Sequence, residues 1–397
     1  MRRARILTAA LIGALLAAGS VASTAAPADA TIVITAQGSN AEGFTISWHR
    51  AAEAVGYRAQ VSKTKTFTKF EGASVSVRLG SYTFNDLTSD TAYWVRLKIL
   101  KASGKPGYSA PLRVTTASAG TPTSLRVGSY NVRESYYVTK GLTWDRRRKS
   151  VFNTITSQNW DVVAIQEATS QELGKWTDDP ALTDTRMIDD ITNNTGLKSD
   201  DYTVDGVAQS SATHILYNPA TVTPVTAMNR ATITCPGSSP CITRDLQWQS
   251  FRDNATGKVF TFANTHLVDG IVSAANGWRD AQGRQVEKII EANSLHTYPL
   301  ILAGDFNSYY GQAANTPMRI LSKYKLYDIA YSAKTSLHRN YTTQQDFSAK
   351  ILKGFSIDHI FVDTDIHVEH YEVVAHGLAM RTTASDHLPL SAVVDIP

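Results

Sequence analysis

The chain has 397 residues, 43% apolar and 19% charged, with 24 glycines and 13 prolines, an ordinary globular composition that excludes wholesale disorder or a fibrous repeat. Net charge is +4, yet residues 1–30 carry 3 basic against 1 acidic side chain, residues 31–124 carry 11 against 5, and residues 125–397 carry 25 against 29. The largest part is mildly acidic, which excludes nucleic-acid affinity resting on overall charge alone, and the length calls for two or three folding units.

Residues 1–30 open with Arg2, Arg3 and Arg5, run uncharged from Ile6 to about Gly19 and end in Ala28-Asp29-Ala30. This is the pattern of a cleaved secretory signal peptide. The uncharged run is short of the roughly 20 residues that cross a bilayer, so a secreted protein without stable membrane insertion is expected. From Thr31 to about Ala117 short alternating runs, among them Phe44–Trp48, Tyr57–Val61, Ser74–Leu79 and Tyr93–Ile99, are broken by glycine, Asn-Asp and proline. Such spacing predicts an all-β sandwich over residues 31–117. Within it Trp48, Leu87, Tyr93 and Val95 resemble the pattern of fibronectin type III domains, in which the Leu and Tyr form a corner that locks two strands. The resemblance implies an accessory module, a spacer or a contact to polymer or surface. Residues 118–124 are small and polar with one proline, the composition of a linker.

The remaining residues, 125–397, read as strands at Leu125–Arg133, 161–167, 213–217, 247–252, 258–266, 299–305, 357–362, 367–374 and 388–395. Helices are expected at Trp144–Gln158 and near 185–195, 278–296 and 316–323. Many strands and few helices predict an α+β fold of packed sheets with outer helices. Cys235 and Cys241 are the only cysteines. In an oxidising compartment they would close a small loop; a zinc fragment would need neighbouring His or Cys ligands, and there are none.

Nearly every one of these strands ends in a residue suited to metal, phosphate or proton chemistry: Asn131, Glu167, His266, Asp305 with Asn307, Asp358, and Asp386 with His387. Singly each could be a rim or turn residue. Together they end buried apolar runs such as Val162–Gln166 and Leu300–Ala303, where charged groups cost stability unless they share a polar site. Phosphoester hydrolysis needs an activated water, a proton donor for the leaving oxygen and positive charge against the transition state. Hard oxygen donors suit Mg²⁺, with Ca²⁺ or Mn²⁺ as alternatives, better than zinc.

The stretches Ser129–Asn131, Ile165–Glu167, Asn264–His266, Gly304–Asn307, Ile357–His359 and Ser385–Pro389 resemble, in order and spacing, the motifs of the endonuclease/exonuclease/phosphatase superfamily. The resemblance implies a four-layer α/β/β/α sandwich. It also implies metal ligation by Glu167, Asn131 and Asp386, with Asp305 and Asn307 on the phosphate or the attacking water. His387, oriented by Asp358, and His266 would be the acid–base pair, in an order the sequence leaves open. His359 matches no catalytic position and is expected to be structural. Gly304–Asn307, the cysteine loop and Arg244, which matches a phosphate-contacting arginine, are similar to secreted deoxyribonucleases of the pancreatic type. Two departures stand against that likeness: the glutamate that partners the first histidine falls near Ser211, and a minor-groove arginine is replaced by Ala168-Thr169.

The expected activity is therefore a metal-dependent phosphodiesterase, a nuclease acting on extracellular DNA or RNA, and a monomer. Its rivals are a sphingomyelinase-like phospholipid phosphodiesterase and a decayed binding protein. Two further features are open in the sequence. Arg146–Lys149 could track a phosphate backbone or be a solvated helix face, and Tyr309-Tyr310 could stack on bases or meet lipid head groups.

Overall fold

The computed structural model describes residues 32–397 apart from 40–42, 49–50, 52, 76–80, 85, 117–122, 137, 202, 205–206, 209–211, 238–240, 271–272, 313–315, 318, 321–325 and 376. The expected signal segment lies outside the described residues. The N-terminal part holds a three-stranded sheet (Ile34–Ser39, Phe44–Trp48, Ser81–Phe84) and a five-stranded sheet (Glu71–Val75, Ala54–Ser62, Ala92–Lys101, Gly107–Tyr108, Leu112–Thr115). Ile46 and Trp48 from the first meet Tyr57, Val95 and Leu97 from the second in one core, as the alternation of apolar side chains requires. Tyr93 Oη accepts the Thr88 N–H at 2.9 Å, tying the loop to its strand.

Strands of two sheets frame the rest. Among them are β1 (Thr123–Asn131), β2 (Val162–Gln166), β3 (Thr213–Tyr217), β4 (Arg244–Asp253), β5 (Val259–His266), β6 (Leu300–Asp305), β7 (Asp358–Val362), β8 (His367–Val373) and β9 (Leu390–Ile396). One sheet runs Lys198–Ser199, β3, β2, β1, β9, β8, Thr335–Leu337; the other runs Val222–Pro224, β4, β5, β6, β7, Tyr327–Asp328, with Asn229–Ile233 beside β4. β1 begins at Thr123, so Thr123 and Ser124, expected in the linker, instead pair with Ile396 and Asp395.

The strands at the centre are buried on both faces, which is why they read as continuous apolar runs. Val162 and Ala164 of β2 face Phe262, Ile301 and Ile360 in the core between the sheets. Val163 and Ile165 point the other way, against Val151, Phe152 and Ile155 of α1 (Trp144–Gln158) and Ile188 and Ile191 of α2 (Met187–Thr195). Leu300 and Leu302 of β6 likewise meet Val286 and Ile290 of α3 (Ser273–Ala292) on the outside of the second sheet. Helix, sheet, sheet and helix thus stack in four layers. α3 starts earlier and ends sooner than the expected 278–296, and the helix expected at 316–323 lies partly outside the described residues. Cys235 and Cys241 are bonded, with Cα atoms 5.8 Å apart. Among the described residues no helix is long and apolar enough to cross a membrane.

The basic run on α1 is not a solvated face throughout. Arg147 is buried: its Nη1 donates to Val132 O (2.7 Å) and Ala384 O (2.8 Å), and its Nη2 to Arg133 O (2.7 Å). Arg148 pairs with Asp190. Arg147 therefore pins the end of β1 to the turn preceding Asp386 and His387, and burial pulls its guanidinium down to about 10, against the raising effect of Tyr130 and Asp386.

Candidate active site

Strand register assembles the site. His266 at the end of β5 lies opposite Asp305 at the end of the parallel β6, and Asp305 lies opposite Asp358 at the start of the antiparallel β7. In the other sheet Asn131 lies opposite Gln166, the residue before Glu167. Three buried hydrogen bonds of Asn264 lock the sheets together just below: Gln166 Nε2 donates to Asn264 Oδ1 (2.9 Å), and Asn264 Nδ2 to Ile165 O and His214 O (both 2.8 Å). The carboxylates and imidazoles of both sheets thus meet at one edge.

Asn131 Nδ2 donates to Glu167 Oε1 (2.8 Å) and Asp305 Oδ2 (3.1 Å), while its Oδ1 accepts the Arg133 N–H (3.0 Å). The amide therefore spans two carboxylates from opposite sheets with its oxygen turned to the backbone. Asp305 Oδ1 accepts the Asn307 N–H at 2.8 Å. Burial and then Asp358 push the Asp305 carboxyl up to about 7, against His387, Asn307 and Asn131. His387 Nδ1 donates to Asp358 Oδ2 at 2.9 Å, and its Nε2 lies 3.9 Å from Asp305 Oδ2. Burial alone would lower His387, but Asp358, Asp305 and Asp386 together raise it well above its ordinary value.

His266 is oriented without the carboxylate partner missing from the sequence. Its Nε2 accepts from Asn307 Nδ2 at 3.2 Å and lies 3.6 Å from Asp305, and Arg244 Nη1 stands 3.5 Å from its Nδ1. Burial, then Arg244 and His387, drive its pKa well below the usual imidazole range, so the ring is neutral. Their surroundings thus push the two imidazoles in opposite directions. Asn307 and Glu167 adopt left-handed backbone conformations (φ 48° and 63°), as does Arg133 (φ 58°), strain of the kind that accumulates where a site fixes its side chains.

Two residues that the sequence reading passed over belong here. Arg133 Nη1 lies 3.4 Å from Asp386 Oδ2 and 3.9 Å from Glu167 Oε2, so a guanidinium stands between two of the expected metal ligands. The Glu134 N–H donates to Glu167 Oε2 at 3.0 Å, and burial followed by the Glu167 charge pushes its carboxyl up to about 7. Their adjacency to Asn131 was the available signal. Tyr309 stacks on Phe355 (centroids 4.6 Å apart, planes at 11°) beside Asn307 and Asp358, whereas the Tyr310 hydroxyl turns inward to Asp328 (3.0 Å).

The donor set fits a hard cation. Asp305 and Asp358 of the second sheet stand, with His387, in a group whose ligand atoms lie within 4.8 Å of one another; His387 is bonded to Asp358, so the carboxylates are the donors, the buried Asp358 Oδ1 has no hydrogen-bond partner, and Glu167 and Asp386 add oxygens around Arg133. Carboxylates from two sheets crowded this closely need positive charge beyond what Arg133 brings.

His359 is structural. Its Nδ1 meets Asp328 Oδ2 at 2.7 Å and its Nε2 meets Ser308 O at 3.0 Å; two acceptors require two N–H groups, hence an imidazolium. Burial opposes that charge, but Asp328 outweighs it and the pKa is raised. A raised native pKa gives stability that is complete below the unfolded value of about 6.5 and is lost as pH climbs through the native value. Replacing His359 with Gln should therefore cost about 3 kcal/mol at pH 6 and progressively less toward pH 9, read from denaturant melts at each pH. A cost that does not change with pH would contradict the imidazolium.

The comparisons agree with this geometry. The model of the Endonuclease/Exonuclease/phosphatase family matches residues 128–387, and the chain belongs to that family. A search of curated proteins finds no match. Among solved structures the chain is similar to an endonuclease/exonuclease/phosphatase family protein from Bacteroides thetaiotaomicron (TM-score 0.55, 22% identity, 70% of this chain and 100% of that one). It is likewise similar to one from Bacteroides vulgatus (0.53, 21%, 69% and 100%) and to a mannosyl-6-phosphatase from B. thetaiotaomicron (0.54, 22%, 68% and 99%). At these identities the likeness establishes the fold. The family's members are phosphoester hydrolases, and this chain is a metal-dependent enzyme of that class.

Proposed function

Since the chain is a member of the endonuclease/exonuclease/phosphatase family, we propose that it is a secreted phosphodiesterase cutting nucleic acid, with an N-terminal fibronectin type III module over residues 31–117 and the catalytic domain over 125–397. The observation that carries the reading is the edge where Asp358–His387, Asp305, Asn307–His266 and Glu167 meet, beside the exposed Phe355 ring stacked on Tyr309. A stacked ring pair of this kind offers a base a flat apolar surface. The Thr88–Tyr93 bond supports the fibronectin reading, and the Cys235–Cys241 bond supports an oxidising compartment. The cysteine loop and Arg244 beside His266 favour the pancreatic-type branch.

In this reading Glu167, with Asp386 behind Arg133, holds a divalent cation, Mg²⁺ by preference, which when bound supplies charge against the phosphoryl oxygens. Arg244 and Asn307 place the phosphate against His266. Neutral His266 is the base for an attacking water, which would take the place of Asn307 Nδ2 at Nε2, the ring nitrogen that carries the lone pair. His387, kept protonated by Asp358 and facing the cleft through Nε2, delivers a proton to the leaving oxygen. Asp305 stands within 3.6 Å and 3.9 Å of the two rings and orients both.

The purified protein should nick supercoiled plasmid with Mg²⁺ and stop on addition of chelator. Plasmid, RNA, sphingomyelin and mannose 6-phosphate compared in one buffer will separate the substrate classes. Hydrolysis of the sugar phosphate or the lipid with both nucleic acids left intact would overturn the reading.

A further inference from the structure

A second aromatic pair stands on the other flank of the site. Tyr136, in the loop after β1, and Trp176, in a turn after β2, have ring centroids 6.1 Å apart with planes at 54°, and they remain 40% and 37% exposed. They are tied to the chemistry: Tyr136 hydrogen-bonds Glu134, whose N–H donates to Glu167 Oε2. Val138, 45% exposed, follows in the same loop. Tyr309 and Phe355 occupy the corresponding place in loops of the other sheet, two residues beyond Asn307 and three before Asp358, with Phe355 57% exposed. Single exposed apolar side chains are normal on any protein. Two aromatic pairs, one in the loops of each sheet at the edge that carries the site, the first of them joined through Glu134 to Glu167, are a different pattern.

We propose that Tyr136 and Trp176 form a second ring-binding surface, across the scissile phosphate from Tyr309 and Phe355, and that the substrate is single-stranded nucleic acid with one base laid on each surface. A sugar phosphate monoester has a ring on one side of phosphorus only and would leave one pair idle. A duplex keeps its bases stacked on each other, so only a single strand, or the locally unpaired stretches of a supercoiled plasmid, offers free base faces. Charge points the same way: residues 125–397 carry 25 basic against 29 acidic side chains. Few phosphate contacts are then available, and stacking must supply much of the affinity. The inference rests on the phosphodiesterase reading above and names the strand that this site takes.

The test is binding of fluorescein-labelled octanucleotides in excess chelator, followed by anisotropy, so that no turnover enters the readout. The wild-type protein should bind a single strand about 10-fold or more tighter than the same backbone carrying abasic sites, with little dependence on salt. Trp176→Ala, and independently Tyr136→Ala, should erase most of that difference with the thermal midpoint unchanged. Equal binding of the two strands, no binding of either, or variants indistinguishable from wild type overturns the proposal, as does preferential capture of sphingomyelin vesicles that Trp176→Ala abolishes. Plasmid nicking measured alongside separates the two ideas: nicking without base-dependent binding removes the platform and leaves the phosphodiesterase, whereas hydrolysis confined to sugar phosphates removes both.

Discussion

Replacing His387 with alanine is expected to slow phosphodiester hydrolysis by about 10²–10⁴-fold, the range for loss of a positioned acid or base. The expectation follows from how firmly the ring is placed. Its Nδ1 is bound to Asp358 Oδ2 at 2.9 Å, its backbone N–H to Ser385 Oγ at 3.1 Å, and the next residue's N–H to Thr343 O at 2.7 Å. Only Nε2 is left to face Asp305 and the substrate. Asp358→Asn should cost nearly as much. Its amide would donate where the carboxylate accepted, so His387 Nδ1 could no longer carry a proton and the ring would sit in the wrong tautomer. Both side chains are buried, and thermal midpoints are needed to separate lost chemistry from lost folding. Plasmid nicking within a few-fold of wild type in a folded His387→Ala protein would remove this residue from the mechanism.

Much of that centre was legible because strands buried on both faces announce themselves. Val162–Ile165 and Leu300–Ala303 admit no polar residue until the ends of their strands, so Glu167, just past β2, and Asp305, the last residue of β6, stand out there. The four-layer order followed from the same runs, since such a strand needs cover on both sides. What stayed hidden depends on reach across the fold. Nothing in Arg146–Lys149 distinguishes Arg147, yet it alone turns inward to clamp Val132 and Ala384, because helical periodicity puts it on the face that carries Trp144 and Val151. Arg133 lies two residues beyond Asn131, but its partner Asp386 arrives from the last motif. Phe355 has no period or motif around it; its meaning comes from Tyr309, which lies on a different loop. Tyr309 and Tyr310 look alike in the chain and part company only because Asp328 captures the hydroxyl of the second.

Gly304→Ala carries the other large expected effect, and it tests why the motif around Asp305 opens with glycine. A Cβ at position 304 would lie 2.0 Å from Thr265 O and 2.9 Å from Thr265 C, both backbone atoms of the neighbouring strand, at φ +155°. Neither atom can swing aside as a side-chain tip could, so β5 and β6 must separate where His266 and Asp305 now stand 3.6 Å apart. The clash should cost about 3 kcal/mol or more of stability. A displacement of about 1 Å between the two groups would remove about 10²-fold of the rate in whatever fraction still folds. Gly196 is the comparison: it caps α2 at φ +77° with nothing within 4 Å of the added carbon. Gly196→Ala should cost only about 1 kcal/mol of backbone strain and leave nicking untouched. If Gly304→Ala proves as stable and as active as Gly196→Ala, the close approach of β6 to β5 is not what holds His266 against Asp305. The placing of His266 against Asp305 would then need another cause.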